Sequence, residues 1–289
     1  MEHVDNAYRR LFCPLCNSSD VFSAGRLKYS SPVLFSSHII RLSRIPELWK
    51  CNACLSWYSN NILPENIAAD LYARGISGDR WSQEPVEEGK SREIIKLLTD
   101  NFYKGKRVLD IGCNTGVVLD IAIARGCVTA GIEFSTACHD QLRSKGHKYF
   151  SDLKEVDGEY DVIIAFDIIE HIYNLPLLLA LCNKKLADKG VLLILTGDIH
   201  SLSARLCGPK WWYVNYPEHI IFPSRKYLHS IAGFKVVKWI KTYAAVNYRH
   251  PVHIIIRRFI YGIHKKNYTG LPSIGPDHIL ICLEKNKHH

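Results

Sequence analysis

No run in this 289-residue sequence is apolar for long enough to cross a bilayer. The longest, such as VLLIL at Val191–Leu195, stop far short of the roughly 20 residues that a membrane helix needs. The opening MEHVDNAYRR lacks the apolar centre of a secretory signal, so the expected compartment is the cytoplasm. The dinucleotide fingerprint GxGxxG is missing, and with it the commonest signature of a nicotinamide enzyme. Neither an Asn-Pro-Pro-Tyr run nor a paired-cysteine nucleophile motif occurs, which removes the usual marks of base-directed chemistry on nucleic acid. From His219 to Pro276 there is no Asp or Glu at all. That stretch carries ten Lys and Arg residues, enough to account for the formal net charge of +9. Such a field attracts phosphate-bearing partners.

What is present points to an intracellular enzyme of more than one part. A hydrophobic content of 47% suffices for a buried core and excludes a disordered chain. Of ten cysteines, four fall into two CxxC pairs, Cys13 with Cys16 and Cys51 with Cys54, and six are scattered, so no disulfide framework is expected. Each pair suits a tight knuckle that offers two thiolates to one tetrahedral ion, with structural Zn2+ the natural occupant. Four thiolates leave no open coordination position, so the ion is assigned to folding rather than catalysis.

The segment RVLDIGCNTGVVL, Arg107–Leu119, reads as a short buried strand that runs into a glycine-punctuated turn and then a helix. Gly112 and Gly116 let the backbone pass close to a ligand, with Cys113 and Asn114 between them, and helix-start N–H groups face outward. Val128–Ile132 reads as the next strand. It ends on Glu133, about 20 residues beyond the turn, where a carboxylate can take both hydroxyls of a ribose. Further strands are expected at Lys148–Phe150, Asp161–Phe166, Val191–Thr196, Phe234–Ile240 and His278–Glu284, with helices at Gly116–Arg125, Thr136–Lys145, Leu175–Ala187 and Ser224–Ala232. Alternating strands and helices predict an α/β fold, a doubly wound sheet covered on both faces. Residues 1–62 are expected to form the zinc-ribbon-like module and 63–89 a helical connector or lid. Residues 90–289 then make the main domain, with a basic insertion at about 241–275.

DIGCNTG after a strand, Glu133 at a strand end, DVIIAFDIIEHI at Asp161–Ile172 and GVLLIL at Gly190–Leu195 together resemble the class I S-adenosylmethionine-dependent methyltransferases. The resemblance covers roughly Glu93 to Lys285 and implies a seven-stranded Rossmann-like sheet with S-adenosylmethionine as cofactor. It implies that Asp110 sets the turn and reaches the methionine end, that Gly112 and Gly116 give clearance and that Glu133 takes the ribose. Phe134 lies against the adenine, Asp152 and Leu153 at its edge, and Asp167 below the methyl donor. In this family the last two strands form an antiparallel edge, which GFKVVKWI and HILICLEK fit.

The chemistry is expected from WWYVNYPEHIIFPS, after the fifth strand of that sheet, because ligands bind at the carboxyl ends of the strands. Tyr216, Glu218 and His219 form YPEH, which resembles the YxEH signature of sugar C-methyltransferases. Those enzymes also carry an N-terminal four-cysteine zinc module; their long C-terminal domain has no counterpart here, and oxygen and carbon both stay open as the methylated atom. His219 is the expected base, Glu218 holds its ring or the sugar, and Tyr216 steadies an enolate or orients the acceptor. His171, which closes FDIIEHI, competes for the base's role. The expected acceptor is a nucleotide- or lipid-linked sugar. The basic insertion offers a peripheral membrane contact, and in a competing reading the ribbon and insertion grip RNA.

Overall fold

The computed structural model describes residues 2–27, 32–75, 92–243, 273 and 275–286. The N-terminal part folds into two small sheets. Strands β1 (Glu2–Val4), β3 (Val33–Phe35) and β4 (His38–Leu42) form one, ordered β1-β4-β3. Strands β2 (Val21–Arg26), β5 (Glu47–Cys51) and β6 (Trp57–Asn60) belong to the other. Helix α1 (Glu65–Arg74) starts behind Pro64, whose fixed φ suits a helix entry, and buries Ala68 and Leu71 against Val4, Phe35 and Ile40 of the three-stranded sheet.

The main domain follows in alternating order. Helix α2 (Arg92–Asn101) leads into β7 (Arg107–Ile111), then α3 (Val117–Ala124), β8 (Val128–Ile132), α4 (Thr136–Ser144), β9 (Lys148–Phe150), β10 (Tyr160–Phe166), α5 (Leu175–Lys185) and β11 (Leu186–Gly197). After it come α6 (Leu202–Cys207), the two-residue β12 (Ile221–Phe222), α7 (Arg225–His229), β13 (Phe234–Thr242) and β14 (His278–Lys285). The seven-stranded sheet is ordered β13-β14-β11-β10-β7-β8-β9. All its pairs from β9 to β11 are parallel, and β14 runs antiparallel to both β11 and β13. This is the doubly wound α/β sheet that the alternation predicts.

The strands are mostly apolar because both faces are covered, although β7 carries Asp110. Val108, Val162, Ile164 and Leu193 pack on one side against Ile94, Leu97 and Leu98 of α2. Their neighbours Leu109, Ile163, Ala165 and Leu192 face Leu175 and Leu179 of α5 on the other. From β7 the chain winds outward through β8 and β9, then returns to the opposite side of β7 as β10. The reversal opens a crevice at the carboxyl ends of β7 and β10.

Strand bounds at β7, β8 and β9 coincide with those read from the sequence, while others differ. Helix α5 stops at Lys185 and β11 begins at once with Leu186, where a helix to Ala187 was expected; Tyr160 pairs with Leu186 and draws it into the sheet. Helix α7 is also shorter than Ser224–Ala232, with Ser224 standing outside it as the cap that accepts from the Tyr227 N–H. Periodicity does not reveal β12 at all. This pair of residues joins β6, with Ile221 opposite Tyr58 and Phe222 opposite Trp57, so the four-stranded sheet, β12-β6-β5-β2, takes its edge from far downstream.

Candidate active site

The turn after β7 is built for close approach. Gly112 has φ 73°, and a Cβ there would meet the Ile168 side chain at 2.1 Å. Gly116 has φ 83° and would meet the His147 ring at 2.6 Å. Any other residue at either position would be strained in backbone and crowded in space. Asn114, between them, is left-handed at φ 49°, and its N–H donates to Glu133 Oε2 at 2.8 Å. Ser135 N–H donates to Glu133 Oε1 at 2.7 Å. Burial pushes the Glu133 carboxyl up, and these backbone donors pull it back toward the charged form. Each oxygen keeps a lone pair for a further donor, as two ribose hydroxyls would be.

The other expected cofactor residues surround this turn. Asp110 is buried in β7, opposite Gly131, and Cys113 is buried in the turn, its thiol pushed up by desolvation. Phe134 is more than half exposed at the end of β8, free to cover a planar ligand. Asp152 accepts the Lys154 N–H at 2.8 Å and caps the short turn that holds buried Leu153. Asp167 follows β10 in a left-handed conformation, φ 52°, with its N–H bonded to the Leu195 carbonyl. Helix α1 reaches over the same edge, where the Ser135 hydroxyl donates to the Gly75 carbonyl at 2.6 Å.

The YPEH loop packs on the turn that follows β10, where the Ile220 N–H donates to the Glu170 carbonyl. His219 is buried, and its Nδ1 lies 2.6 Å from the Tyr213 carbonyl. A carbonyl only accepts, so Nδ1 carries the proton and Nε2 keeps the lone pair. His171 follows the same pattern, with Nδ1 donating to the Glu218 carbonyl at 3.0 Å and the Tyr72 hydroxyl 2.9 Å from the same nitrogen. The two imidazoles meet edge to face at 4.7 Å. Desolvation lowers both, His171 to about 4 and His219 well below its ordinary value, so both are neutral at pH 7. The Glu218 carboxylate accepts from the Ser36 N–H at 2.8 Å through Oε1 and from Asn215 at 3.1 Å through Oε2. Tyr216 sits deeper, its hydroxyl donating to the Asn61 carbonyl at 2.8 Å.

Glu170, fully buried, accepts from the Tyr213 and Thr196 hydroxyls. Burial and the neighbouring Asp167 push its carboxyl up to about 8. One ligand atom from each of Glu170, His171 and His219 lies within 4.8 Å of the other two.

A model of the methyltransferase domain family matches residues 82–238, more than half of the chain. The chain belongs to this family. Among curated proteins, the methyltransferase chain is 25% identical over 132 residues to a ubiquinone biosynthesis O-methyltransferase of Psychrobacter cryohalolentis, a match that takes in 40% of this chain and 50% of that protein. It is 28% identical over 130 residues to a probable S-adenosylmethionine-dependent methyltransferase of Mycolicibacterium smegmatis, covering 42% and 51%. The chain thus spans about half the length of the curated relatives it matches. Two solved structures share the fold, each with a TM-score of 0.51 at 14% identity. One is the Synechocystis magnesium protoporphyrin IX methyltransferase with bound S-adenosylhomocysteine, covering 77% of this chain and all of that one. The other is the Burkholderia thailandensis 1,6-didemethyltoxoflavin-N1-methyltransferase, covering 84% and 96%.

The methyltransferase keeps its four N-terminal cysteines together. Their sulfurs lie within 4.8 Å of one another, with Cys13 to Cys54 and Cys16 to Cys51 both at 3.6 Å. The two knuckles are built alike: Asn17 N–H returns to the Cys13 carbonyl and Leu55 N–H to the Cys51 carbonyl, both at 2.9 Å, with Asn17 and Leu55 left-handed. The second knuckle also grips the segment that follows the YPEH loop. Ser224 donates to the Cys54 carbonyl, and Lys226 Nζ to that of Ala53 at 2.6 Å.

Sequence reading missed Tyr72, Thr196 and Tyr213 as site residues. An aromatic in a connector helix and a hydroxyl at a strand end carry no motif, and only the tertiary fold brings them to His171 and Glu170. Most of the basic insertion, 244–272 and 274, lies outside the described residues, as do the contacts expected of it with membrane or RNA. Among the described residues no helix is long and apolar enough to cross a membrane.

Proposed function

We propose that this protein is an S-adenosylmethionine-dependent methyltransferase acting on a hydroxyl or an acidic carbon of a sugar or another phosphate-linked glycan or natural-product intermediate. The observation that carries the reading is the convergence of two differently built walls on one crevice. The Gly112–Gly116 turn and Glu133 suit the adenosyl end of the cofactor, and the YPEH loop sets His219 beside His171 on the acceptor side. S-adenosylmethionine supplies a methyl group already activated on a sulfonium. The chain supplies alignment and a base. His219 fills that role through Nε2, left basic because Nδ1 is committed to the Tyr213 carbonyl. Glu218 holds the loop through Ser36 and Asn215. Tyr216 braces the loop against Asn61 from behind.

The four cysteines fit a structural zinc. A Zn–S bond of about 2.3 Å sets tetrahedral S···S edges of about 3.8 Å, close to the two separations of 3.6 Å. The sugar assignment rests on the YPEH resemblance and on the positive charge, which suits a phosphate-linked acceptor.

Calorimetry with S-adenosylmethionine and S-adenosylhomocysteine, followed by transfer of labelled methyl to a panel of nucleotide-linked hydroxy- and keto-sugars with an RNA pool alongside, tests the reading. Binding with labelled sugar product supports it, whereas label in RNA alone overturns the acceptor assignment. His219→Ala should cut turnover on the order of 100-fold and leave cofactor affinity intact; unchanged turnover removes it as the base.

A further inference from the structure

Beside this crevice stands a carboxylate–imidazole pair that neither the cofactor turn nor the YPEH loop uses. Asp277 and His278 are both buried at the start of β14. Because β14 runs antiparallel to β11, His278 lies opposite Gly197 at the carboxyl edge of the sheet, the edge on which β7 and β10 open. Asp277 Oδ1 accepts from His278 Nδ1 at 2.8 Å, and Oδ2 accepts from the Trp212 indole at 2.7 Å. The imidazole is stacked on Trp212 at 5.8 Å and meets Tyr213 edge to face at 4.7 Å. Across Tyr213, at 4.5 Å, is the ring of His219.

We propose that His278, aimed by Asp277, is a second acid–base group of the acceptor pocket, an imidazolium that donates a hydrogen bond from Nε2 to the acceptor atom as negative charge develops there. The proposal rests on the methyltransferase reading with His219 as base. The acceptor proton passes to His219 Nε2, and His278 keeps its own.

The orientation follows from Asp277, which fixes Nδ1 as a donor and leaves Nε2 as the ring's second donor, the arrangement by which a buried carboxylate sets a catalytic imidazole. The surrounding charges favour the protonated ring. Burial alone would lower His278, but the Asp277 hydrogen bond and the charges of Asp277 and Asp167 outweigh it and raise it. On β11's exit, Asp198 donates its N–H to the Asp277 carbonyl. On β13, Thr242 is opposite His278 and Lys241 is next to it but exposed. His219 feels the reverse, desolvation and neighbouring histidines holding it neutral. Two histidines on either side of one tyrosine are thus driven apart, and such divergence separates acid from base within a site.

Histidine-selective heteronuclear NMR titration of the whole chain, with and without S-adenosylhomocysteine, reads the state of the ring directly. The resonance lost in His278→Gln should titrate above the ordinary histidine value of 6.5, and Asp277→Asn should lower it. Turnover of His278→Gln should fall by about 100-fold, with unchanged affinity for S-adenosylhomocysteine and loss of the alkaline limb of the kcat/KM profile. A ring that titrates at or below the ordinary value, or a His278→Gln variant that keeps both turnover and the alkaline limb, overturns the proposal. If His278→Gln does not fold, Asp277→Asn carries the same test through its pH profile, an unmoved alkaline limb counting against the idea. Absence of S-adenosylhomocysteine binding by the wild type would sink the methyltransferase reading instead, and the titration would still report on His278.

Discussion

Glu133 has both carboxylate oxygens tied to backbone donors, at Asn114 and Ser135, and so holds the turn with the group proposed to take the cofactor's ribose. Glu133→Ala should weaken S-adenosylhomocysteine binding by about 10- to 100-fold in calorimetry, the loss expected for hydrogen bonds to a charged acceptor; an unchanged Kd would place the ribose elsewhere. The buried histidines set the acid limit of stability. His171 is held neutral in the fold down to about 4, while an unfolded chain takes up the proton below about 6.5. Its contribution is therefore complete above the unfolded value and is lost as pH falls toward 4. The Tm should drop by several degrees between pH 6.5 and 4.5, and less steeply in His171→Gln; parallel curves would show that another group governs the acid limb. His278 has the opposite sign, contributing fully below the unfolded value and fading as pH rises through its folded one.

At the scale of elements, β12 has two residues and yet ties the YPEH loop to the cysteine module. Ser224 lies just beyond it, capping α7 through the Tyr227 N–H and donating to the Cys54 carbonyl. Ser224→Ala should cost about 1 kcal/mol from the cap alone. It should also lower turnover more than cofactor affinity, because the loop loses its anchor while the Gly112 turn does not; equal loss of both would refute the anchoring role. The same elements explain what could be read beforehand. β7, β8 and β10 are legible because strands buried on both faces leave mostly apolar runs, and Gly112, Gly116 and Glu133 sit at fixed offsets from them. β12 is not, since two residues carry no period, and its partner Tyr58 is remote in the chain. The helix expected over Leu175–Ala187 ends at Lys185 because Leu186 and Ala187 suit helix and strand alike, and only pairing with Tyr160 decides between them. YPEH singles out His219 in the sequence, but the bond from the Ser36 N–H to Glu218 depends on a hairpin between β3 and β4 that no local pattern relates to the loop.

For the whole molecule, the expected metal is a matter of architecture. Cys13→Ser or Cys54→Ser should remove about one equivalent of zinc, read by elemental analysis, and lower the Tm, since such a module draws its folding energy from the ion. Zinc content that is zero in the wild type, or unaltered in both variants, would leave the cluster as four plain thiols. Because the segment after YPEH is clasped by strand β6 and by the carbonyls of Ala53 and Cys54, the ribbon is not a detachable accessory. Anyone grafting this catalytic half onto a different scaffold, or exchanging its front end for that of a cousin, inherits an unmoored loop unless the first sixty or so residues travel along with it.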